Sequence, residues 1–199
     1  PQAFGVYPGF SAEKLLNHIA ILKGVSNAKE RKHQVKSLLN QTNLYEHRKK
    51  SVSAYSGGMR QRFGIAQALL GSPQVVIVDE PTAGLDPEER NRFHSLLSEI
   101  ASSVIVLLST HIVADVRELC TNMAILNEGK LIMKGMPSEL VKNLNGKIWS
   151  ATVEKESLAD YQQQFDVIST RLLAGQTVIH VISDQCPSGE FTDVDQGLE

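Results

Sequence analysis

The sequence has few cysteines and no long apolar run, and each absence excludes a class of protein. Its two cysteines, Cys120 and Cys186, occur without a CxxC pair or a Cys/His cluster. This excludes a disulfide scaffold and a structural zinc site, and favours a reduced, cytoplasmic setting with two buried thiols. The longest apolar runs, 75–78 and 104–108, are far shorter than the roughly 18 residues of a membrane-spanning helix. The start at Pro1 lacks an initiator Met and the features of a signal peptide, so we expect a cut chain.

The composition is that of a globular chain, but the charge is unevenly distributed. Hydrophobic residues make up 42% and charged residues 21% of the 199 positions, which allows a sizeable core. Residues 1–72 carry 11 Lys and Arg against 3 Asp and Glu, whereas residues 73–199 carry 9 against 19. The basic front half indicates contact with nucleic acid, lipid headgroups or phosphate, or simply a solvated helical face. Its most basic helical side carries Lys29, Arg31, Lys32 and Lys36.

Hydrophobic periodicity and helix caps predict alternating helices and strands. Val75 to Val78 and Val104 to Leu108 are apolar runs without alternation, as in buried parallel strands. The helix between them begins at Asp86-Pro87 and completes a right-handed β-α-β unit. The other predicted elements are helices at 11–24, 27–40, 58–70 and 112–120, a hairpin at 123–134, a small α+β appendage at 147–183 and a frayed tail at 184–199.

Three chemically versatile side chains follow the two predicted strands. Asp79 and Glu80 end the first strand, and His111 ends the second. Parallel sheets bind their ligands at the carboxyl ends of the strands, so we expect all three at one edge. One carboxylate can hold Mg²⁺ through water while the other deprotonates an attacking water, and the histidine can contact a terminal phosphate.

The segment Ser56-Gly57-Gly58 stands at the start of the helix at 58–70. Its glycines let backbone N–H groups approach an anion closely, and the helix dipole favours negative charge there. The Ser56 hydroxyl adds a further donor. Each of these motifs alone has an ordinary structural explanation: Ser56-Gly57-Gly58 could be a helix cap, Asp79-Glu80 a surface turn, and His111 a structural residue at a strand end. The order and spacing of the three motifs together favour one functional site.

The sequence resembles the ATP-binding subunits of ABC transporters from residue 1 to about residue 140. The motifs occur in that family's order and at its spacing. The match pairs Gln2 with the Q-loop glutamine, Tyr55 to Met59 with the Leu-Ser-Gly-Gly-Gln signature, Val75 to Glu80 with the Walker B strand and its catalytic glutamate, Ala83 to Asp86 with the D-loop, and His111 with the switch histidine.

The resemblance implies an α/β fold of the P-loop NTPase-like ABC cassette type, with an incomplete parallel-sheet core. It places the Q-loop and a helical subdomain with the signature at 1–72, and the ATPase core at 73–144. Residues 145–199 become a C-terminal accessory region, a small α+β appendage.

The resemblance also implies ATP and Mg²⁺ as cofactors, with two ATP molecules held between two subunits. The implied roles are Mg²⁺ binding for Asp79 and Gln2, general base for Glu80, γ-phosphate contact for His111, binding of the partner subunit's ATP for Ser56, Gly57 and Gly58, and signalling across the interface for Asp86.

Two departures from the family pattern make the prediction more specific: a variant signature and the absence of a P-loop. Tyr55 and Met59 replace Leu and Gln in the signature, and with the appendage they resemble the export-type branch, which includes multidrug, antibiotic, lipid and polysaccharide exporters. No G-x-x-x-x-G-K-[ST] segment, the Walker A P-loop, occurs in the chain. We therefore expect a fragment that begins at the Q-loop and does not hydrolyse ATP alone.

The predicted function is ATP binding and hydrolysis for an ABC transporter, an exporter, on the cytoplasmic face of the cell membrane. Its partners would be a transmembrane permease, contacted by residues 11–70, and a second ABC ATPase subunit. The alternatives are a non-transport ABC ATPase acting on nucleic acid or the ribosome, and a catalytically inactive regulatory cassette. The stretch between Gln2 and Ser56 has no sustained heptads, which disfavours the coiled-coil ABC proteins that act on DNA.

Overall fold

The computed structural model describes residues 9–194, and the chain divides into two compact units, Pro1–Leu119 and Cys120–Glu199. Both units contain helices and strands, so the predicted α/β class is confirmed. The finer division at residues 72 and 144 stays a prediction.

The described part of the first unit contains five α-helices, and side-chain caps mark four of their starts. Ser11, Asn27, Ser56 and Asp86 each accept a hydrogen bond from a backbone N–H in the first turn of the helix that follows. These caps satisfy N–H groups that have no partner within the helix. The helices are α1 (Ala12–Leu22), α2 (Ala28–Gln41), α3 (Gly57–Leu69), α4 (Pro87–Ala101) and α5 (Val113–Leu119).

The helices pack around one core, and a lysine completes the end of α3. Leu16, Leu39, Phe63 and Phe93 are almost fully buried together. Lys23, just after α1, donates through Nζ to the carbonyl oxygens of residues 67, 68 and 70 at 2.9, 2.8 and 3.2 Å. The last carbonyls of a helix lack intrahelical partners, so this ammonium both satisfies them and fastens α1 to α3.

The strands β1 (Val75–Asp79) and β2 (Ile105–Ser109) pair in parallel, as the β-α-β pattern predicts. The prediction that both runs are buried is wrong for one face. Val76 and Val78 face the core, whereas Ile77 and Leu107 are 72% and 53% exposed. The helices of this unit cover one side of the pair, and an apolar run does not reveal how many sides are covered.

The second unit contains a hairpin and an antiparallel sheet. The sheet has the order β6-β7-β5-β8, and its core gathers Ala151, Ile179, Val181 and Phe191. Sequence analysis predicted the hairpin, two sheet strands and a helix, but missed β6, β8 and the short α6. The elements are β3 (Met123–Asn127), β4 (Lys130–Gly135), α6 (Pro137–Lys142), β5 (Ile148–Val153), α7 (Leu158–Gln164), β6 (Val167–Leu173), β7 (Gln176–Ile182) and β8 (Thr192–Asp193).

Three surface expectations need correction. The predicted frayed tail contains β8, which pairs with Trp149 and Ser150, because the neighbouring Phe191 is buried and anchors it. Neither predicted buried thiol is buried, since Cys186 is exposed and Cys120 is half-buried. Arg31 is not a free basic group on α2, since its guanidinium donates to two carbonyl oxygens of the preceding loop at 3.0 Å.

Candidate active site

The site is built where β1 and β2 end side by side. Asp79 and Ser109 are paired in register as the last residues of the two strands. The Glu80 N–H donates to the Ser109 carbonyl at 2.8 Å, which carries the pairing one residue beyond β1. The residues that follow both strands are thereby held at one edge of the sheet.

At this edge the structure brings Glu80 and His111 into direct contact. Glu80 Oε1 accepts the His111 backbone N–H at 3.0 Å and lies 2.7 Å from the ring Nδ1. The Glu80 side chain is 15% exposed, whereas that of His111 is 78% exposed. The pair therefore combines a shielded carboxylate with an imidazole that solvent or a ligand can reach.

The Glu80 backbone adopts φ +46°, in the left-handed region that side chains with a Cβ occupy at a cost. Asp79, one residue earlier, is exposed at the sheet edge. Because side chains alternate along a strand and the turn follows at Glu80, the two carboxylates lie in different surroundings: that of Asp79 is open and that of Glu80 is shielded. The two acids are thus placed for different tasks.

The signature segment forms the start of α3. Ser56 caps the helix by accepting the Met59 N–H at 3.3 Å, and Gly57 is exposed at the first helical position. Tyr55 is buried and donates its hydroxyl to the His47 carbonyl at 3.0 Å. Burial raises the pKa of the Tyr55 phenol, so this side chain acts as a neutral anchor under the helix start.

Gly58 is buried against α4. A Cβ added to Gly58 would overlap the Glu89 carboxylate and lie 2.7 Å from its Cδ. Glu89 itself pairs with the nearly buried guanidinium of Arg62. The second glycine of the signature is therefore required by packing. Sequence analysis missed Arg62 and Glu89, because nothing in the pattern signals a contact between α3 and α4.

Asp86 lies at the start of α4, where its Oδ1 accepts the Glu89 N–H at 2.8 Å. The predicted cap is thus present, while its predicted role across a subunit interface stays a prediction. Gln2, the predicted Q-loop residue, lies outside the described residues. Among residues 9–194, no group of three or more His, Cys, Asp or Glu side chains is placed to hold a metal ion.

Sequence analysis also missed a set of polar side chains behind the Glu80 turn. Asp115 on α5 has no exposed surface, and it contacts Thr82, His94 and Arg90. His94 reaches Asp115 from α4 at 2.8 Å. A histidine within a helical apolar stripe gives no sequence signal of this contact.

Comparison with known proteins agrees with the geometry. Residues 2–83 match the protein-family model of the ABC transporter. The chain is 32% identical over 169 residues to the uncharacterized ABC transporter ATP-binding protein YxlF of Bacillus subtilis, covering 85% of the chain and 57% of that protein. It is 34% identical over 142 residues to the Nod factor export ATP-binding protein I of Ralstonia nicotianae, covering 71% of the chain and 44% of that protein.

The fold has a counterpart among solved structures. A structure described as an inward-facing conformation of a metal-chelate type ABC transporter superposes with a TM-score of 0.64 over 98% of this chain and 71% of that one. Its sequence identity of 19% makes this a likeness of fold alone.

Residues 2–83 thus match the ABC transporter family model, and the chain is similar to ABC transporter ATP-binding proteins, which confirms the resemblance and the cassette fold. It spans about half the length of the two relatives named above. None of the helices in residues 9–194 has both the length and the apolarity to cross a membrane.

Proposed function

We propose that this chain supplies part of the ATP-hydrolysing site of an ABC exporter, without the Walker A P-loop. The observation that carries the proposal is the contact of Glu80 with His111 at the carboxyl ends of two parallel strands. Export is favoured by the Tyr55 and Met59 signature variant and by the relative named for Nod factor export.

Glu80 has the geometry of a general base. Its Oε1 is taken by the two His111 contacts, whereas Oε2 has only a long contact of 3.5 Å to Thr110 Oγ1. Oε2 is therefore the oxygen that orients the attacking water and accepts its proton. The His111 ring meets Glu80 through Nδ1, which leaves Nε2 for a γ-phosphate oxygen and for the charge that develops there.

Asp79 fits a magnesium ion held together with nucleotide phosphates. Mg²⁺ is usually bound through one or two carboxylates, with water and phosphate oxygens completing its shell. The absence of a three-residue cluster among the described residues is therefore no obstacle. The exposed Asp79 beside Glu80 supplies such a carboxylate, and Gln2 is proposed as the second protein ligand. The ion would neutralise charge on the transferred phosphoryl group.

Ser56, Gly57 and Gly58 are proposed to bind ATP held by a second ABC ATPase subunit. Ser56 and Gly57 are exposed at the start of α3, and no atom lies within 4 Å of the Cβ position of Gly57. A phosphate can therefore approach the backbone there, where the helix dipole favours it. Asp86 is proposed to transmit a signal across the interface between the two subunits when this contact forms.

The helical part, residues 11–70, is proposed to contact a transmembrane permease from the cytoplasmic face of the membrane. Lys29, Lys32 and Lys36 on α2 are exposed and form a basic surface there, without Arg31. Reversing these three charges should weaken co-purification with the permease or binding to anionic vesicles in low salt. Unchanged association with both would remove the permease and headgroup roles from this surface.

The decisive experiment measures steady-state ATP hydrolysis by the full-length gene product. Replacing Glu80 with Gln should lower kcat about 10²- to 10⁴-fold, because the base is lost while ATP binding persists. Glu128→Gln is the matched control, since Glu128 also has a positive φ, of 48°, and is exposed in the hairpin turn. The 199-residue chain alone should show no turnover.

Two results would contradict the proposal. Equal turnover in wild type and Glu80→Gln would exclude Glu80 as the base. Absence of magnesium-dependent turnover in the wild-type full-length protein would instead favour the inactive regulatory cassette.

A further inference from the structure

The turn that carries Glu80 rests on a buried carboxylate. Asp115 has no exposed surface, and its Oδ2 accepts a hydrogen bond from Thr82, two residues after Glu80. Thr82 is fully buried as well. The same Oδ2 lies 3.5 Å from Oγ1 of Thr110, which itself lies 3.5 Å from Glu80 Oε2. Asp115 thus contacts both the loop after Glu80 and the residue before His111.

A buried carboxylate needs partners of opposite charge to remain ionised. On the Oδ1 side, Arg90 Nε of α4 lies 4.0 Å away, while His94 Nε2 lies much closer, at 2.8 Å. The Arg90 distance is too long for a hydrogen bond. His94 is therefore the direct partner of this oxygen.

His94 stands between two carboxylates. Its Nε2 contacts Asp115, and its Nδ1 lies 2.6 Å from Oε2 of Glu118 on the same helix, α5. The ring is 7% exposed, whereas the Glu118 side chain is 55% exposed. A neutral imidazole has one N–H to donate, and the imidazolium has two. The protonated ring is the form that satisfies both carboxylates.

We propose that His94 is a positioning residue for ATP hydrolysis. Through its two ring nitrogens it contacts Glu118 and Asp115 at once, fixes α5 against α4, and holds Asp115 where it supports the Glu80 turn and the approach to His111. The strained φ of Glu80 needs such support, because a backbone of this kind persists only when its surroundings determine it. This inference rests on the proposed hydrolysis at Glu80.

The test uses the full-length protein with His94→Gln and His94→Arg. The neutral glutamine should lower kcat about ten- to a hundredfold with KM for ATP unchanged, because the base is misplaced while binding is not. Arginine keeps the charge and the donors, so it should recover most of the loss. In an Asp115→Asn background, His94→Gln should add little further loss, since the two residues act as one unit.

Controls separate this role from simple folding. His18→Gln, at an exposed position on α1, should leave kcat unchanged. Circular dichroism of His94→Gln, with its thermal midpoint, shows whether the variant is folded before its kcat is compared with that of the wild type.

The outcomes are distinguishable. Wild-type turnover together with an unchanged kcat in folded His94→Gln overturns the positioning role alone, and so does a loss of kcat that His94→Arg does not reduce. Absence of turnover in the wild type overturns the proposed function itself.

Discussion

Glu80 combines a strained backbone with a shielded carboxylate. Its φ of +46° lies in a region where a residue with a Cβ is disfavoured, yet its N–H and its carboxylate both find partners on the strand and loop that follow α4. Strain that is held by defined contacts is typical of functional sites. The outlier therefore supports a role for this residue independently of the family motif.

Gly58 should tolerate alanine poorly. The added methyl group would displace the Glu89 carboxylate and leave Arg62, which is nearly buried, without its ion pair. We expect the free energy of unfolding of the 199-residue chain to fall by about 1–3 kcal/mol, the cost of leaving a buried polar group unsatisfied. Urea denaturation followed by circular dichroism measures it.

Gly57 provides the matched control for this substitution. Its Cβ position is open, so Gly57→Ala should be neutral or slightly stabilising. In a Glu89→Ser background, which already lacks the Arg62 ion pair and the overlapping carboxylate, Gly58→Ala should add little further loss. A loss as large for Gly57→Ala would contradict this explanation.

The sequence predicts the positions of the motif residues, but not those of the buried residues that contact them. Asp79, Glu80 and His111 follow apolar runs, so strand ends alone predict that they meet at one edge. Asp115 and His94 meet only because α5 folds back on α4, and no local pattern records that approach. Periodicity specifies which face of a helix is buried, but not which polar group it meets there.

The cap of α4 should contribute measurably to the stability of the first unit. Asp86→Ala removes the acceptor for the Glu89 N–H and should lower the free energy of unfolding by about 1 kcal/mol. Thermal unfolding followed by circular dichroism would show a lower midpoint.

Asp86→Asn separates capping from a role of the charge. Asparagine caps a helix about as well as aspartate, so the stability should be retained. If Asn keeps the melting midpoint but lowers ATP turnover in the full-length protein, the carboxylate has a role beyond the cap. Equal destabilisation by Ala and Asn would show that the cap is not the cause.

Helices were more predictable than strands, for a physical reason. A helix start can be predicted from nearby residues, because the cap side chain accepts an N–H within the first turn. Three of the helices begin in this way, at Ser11, Asn27 and Asp86. Strands depend on more distant partners: β6, which sequence analysis missed, pairs with β7 in the described part of the chain. The apolar runs of β1 and β2 predicted strands correctly. Whether both faces of these strands are buried depends on which other elements pack against them, and an apolar run does not specify those elements.

The chain as a whole should bind apolar dyes through the uncovered face of β1 and β2. Four apolar side chains form one contiguous group on that face and are 46–72% exposed: Val75, Ile77, Ile105 and Leu107. Exposed apolar groups of this kind attract other apolar surfaces. Ile77→Thr with Leu107→Thr should reduce anilinonaphthalene sulfonate fluorescence.

The control for this prediction is Leu22→Thr. Leu22 is 74% exposed at the end of α1 and is not part of that face, so its replacement should change the fluorescence little. A similar decrease with Leu22→Thr would show that dye binding does not report on the sheet.

The same uncovered face makes the colloidal behaviour of the 199-residue chain temperature-dependent. Attraction between apolar surfaces weakens on cooling, because it is largely entropic near room temperature. Solutions of the chain should therefore cloud on gentle warming and clear again in the cold. Four side chains on two short strands would then decide how the protein must be stored.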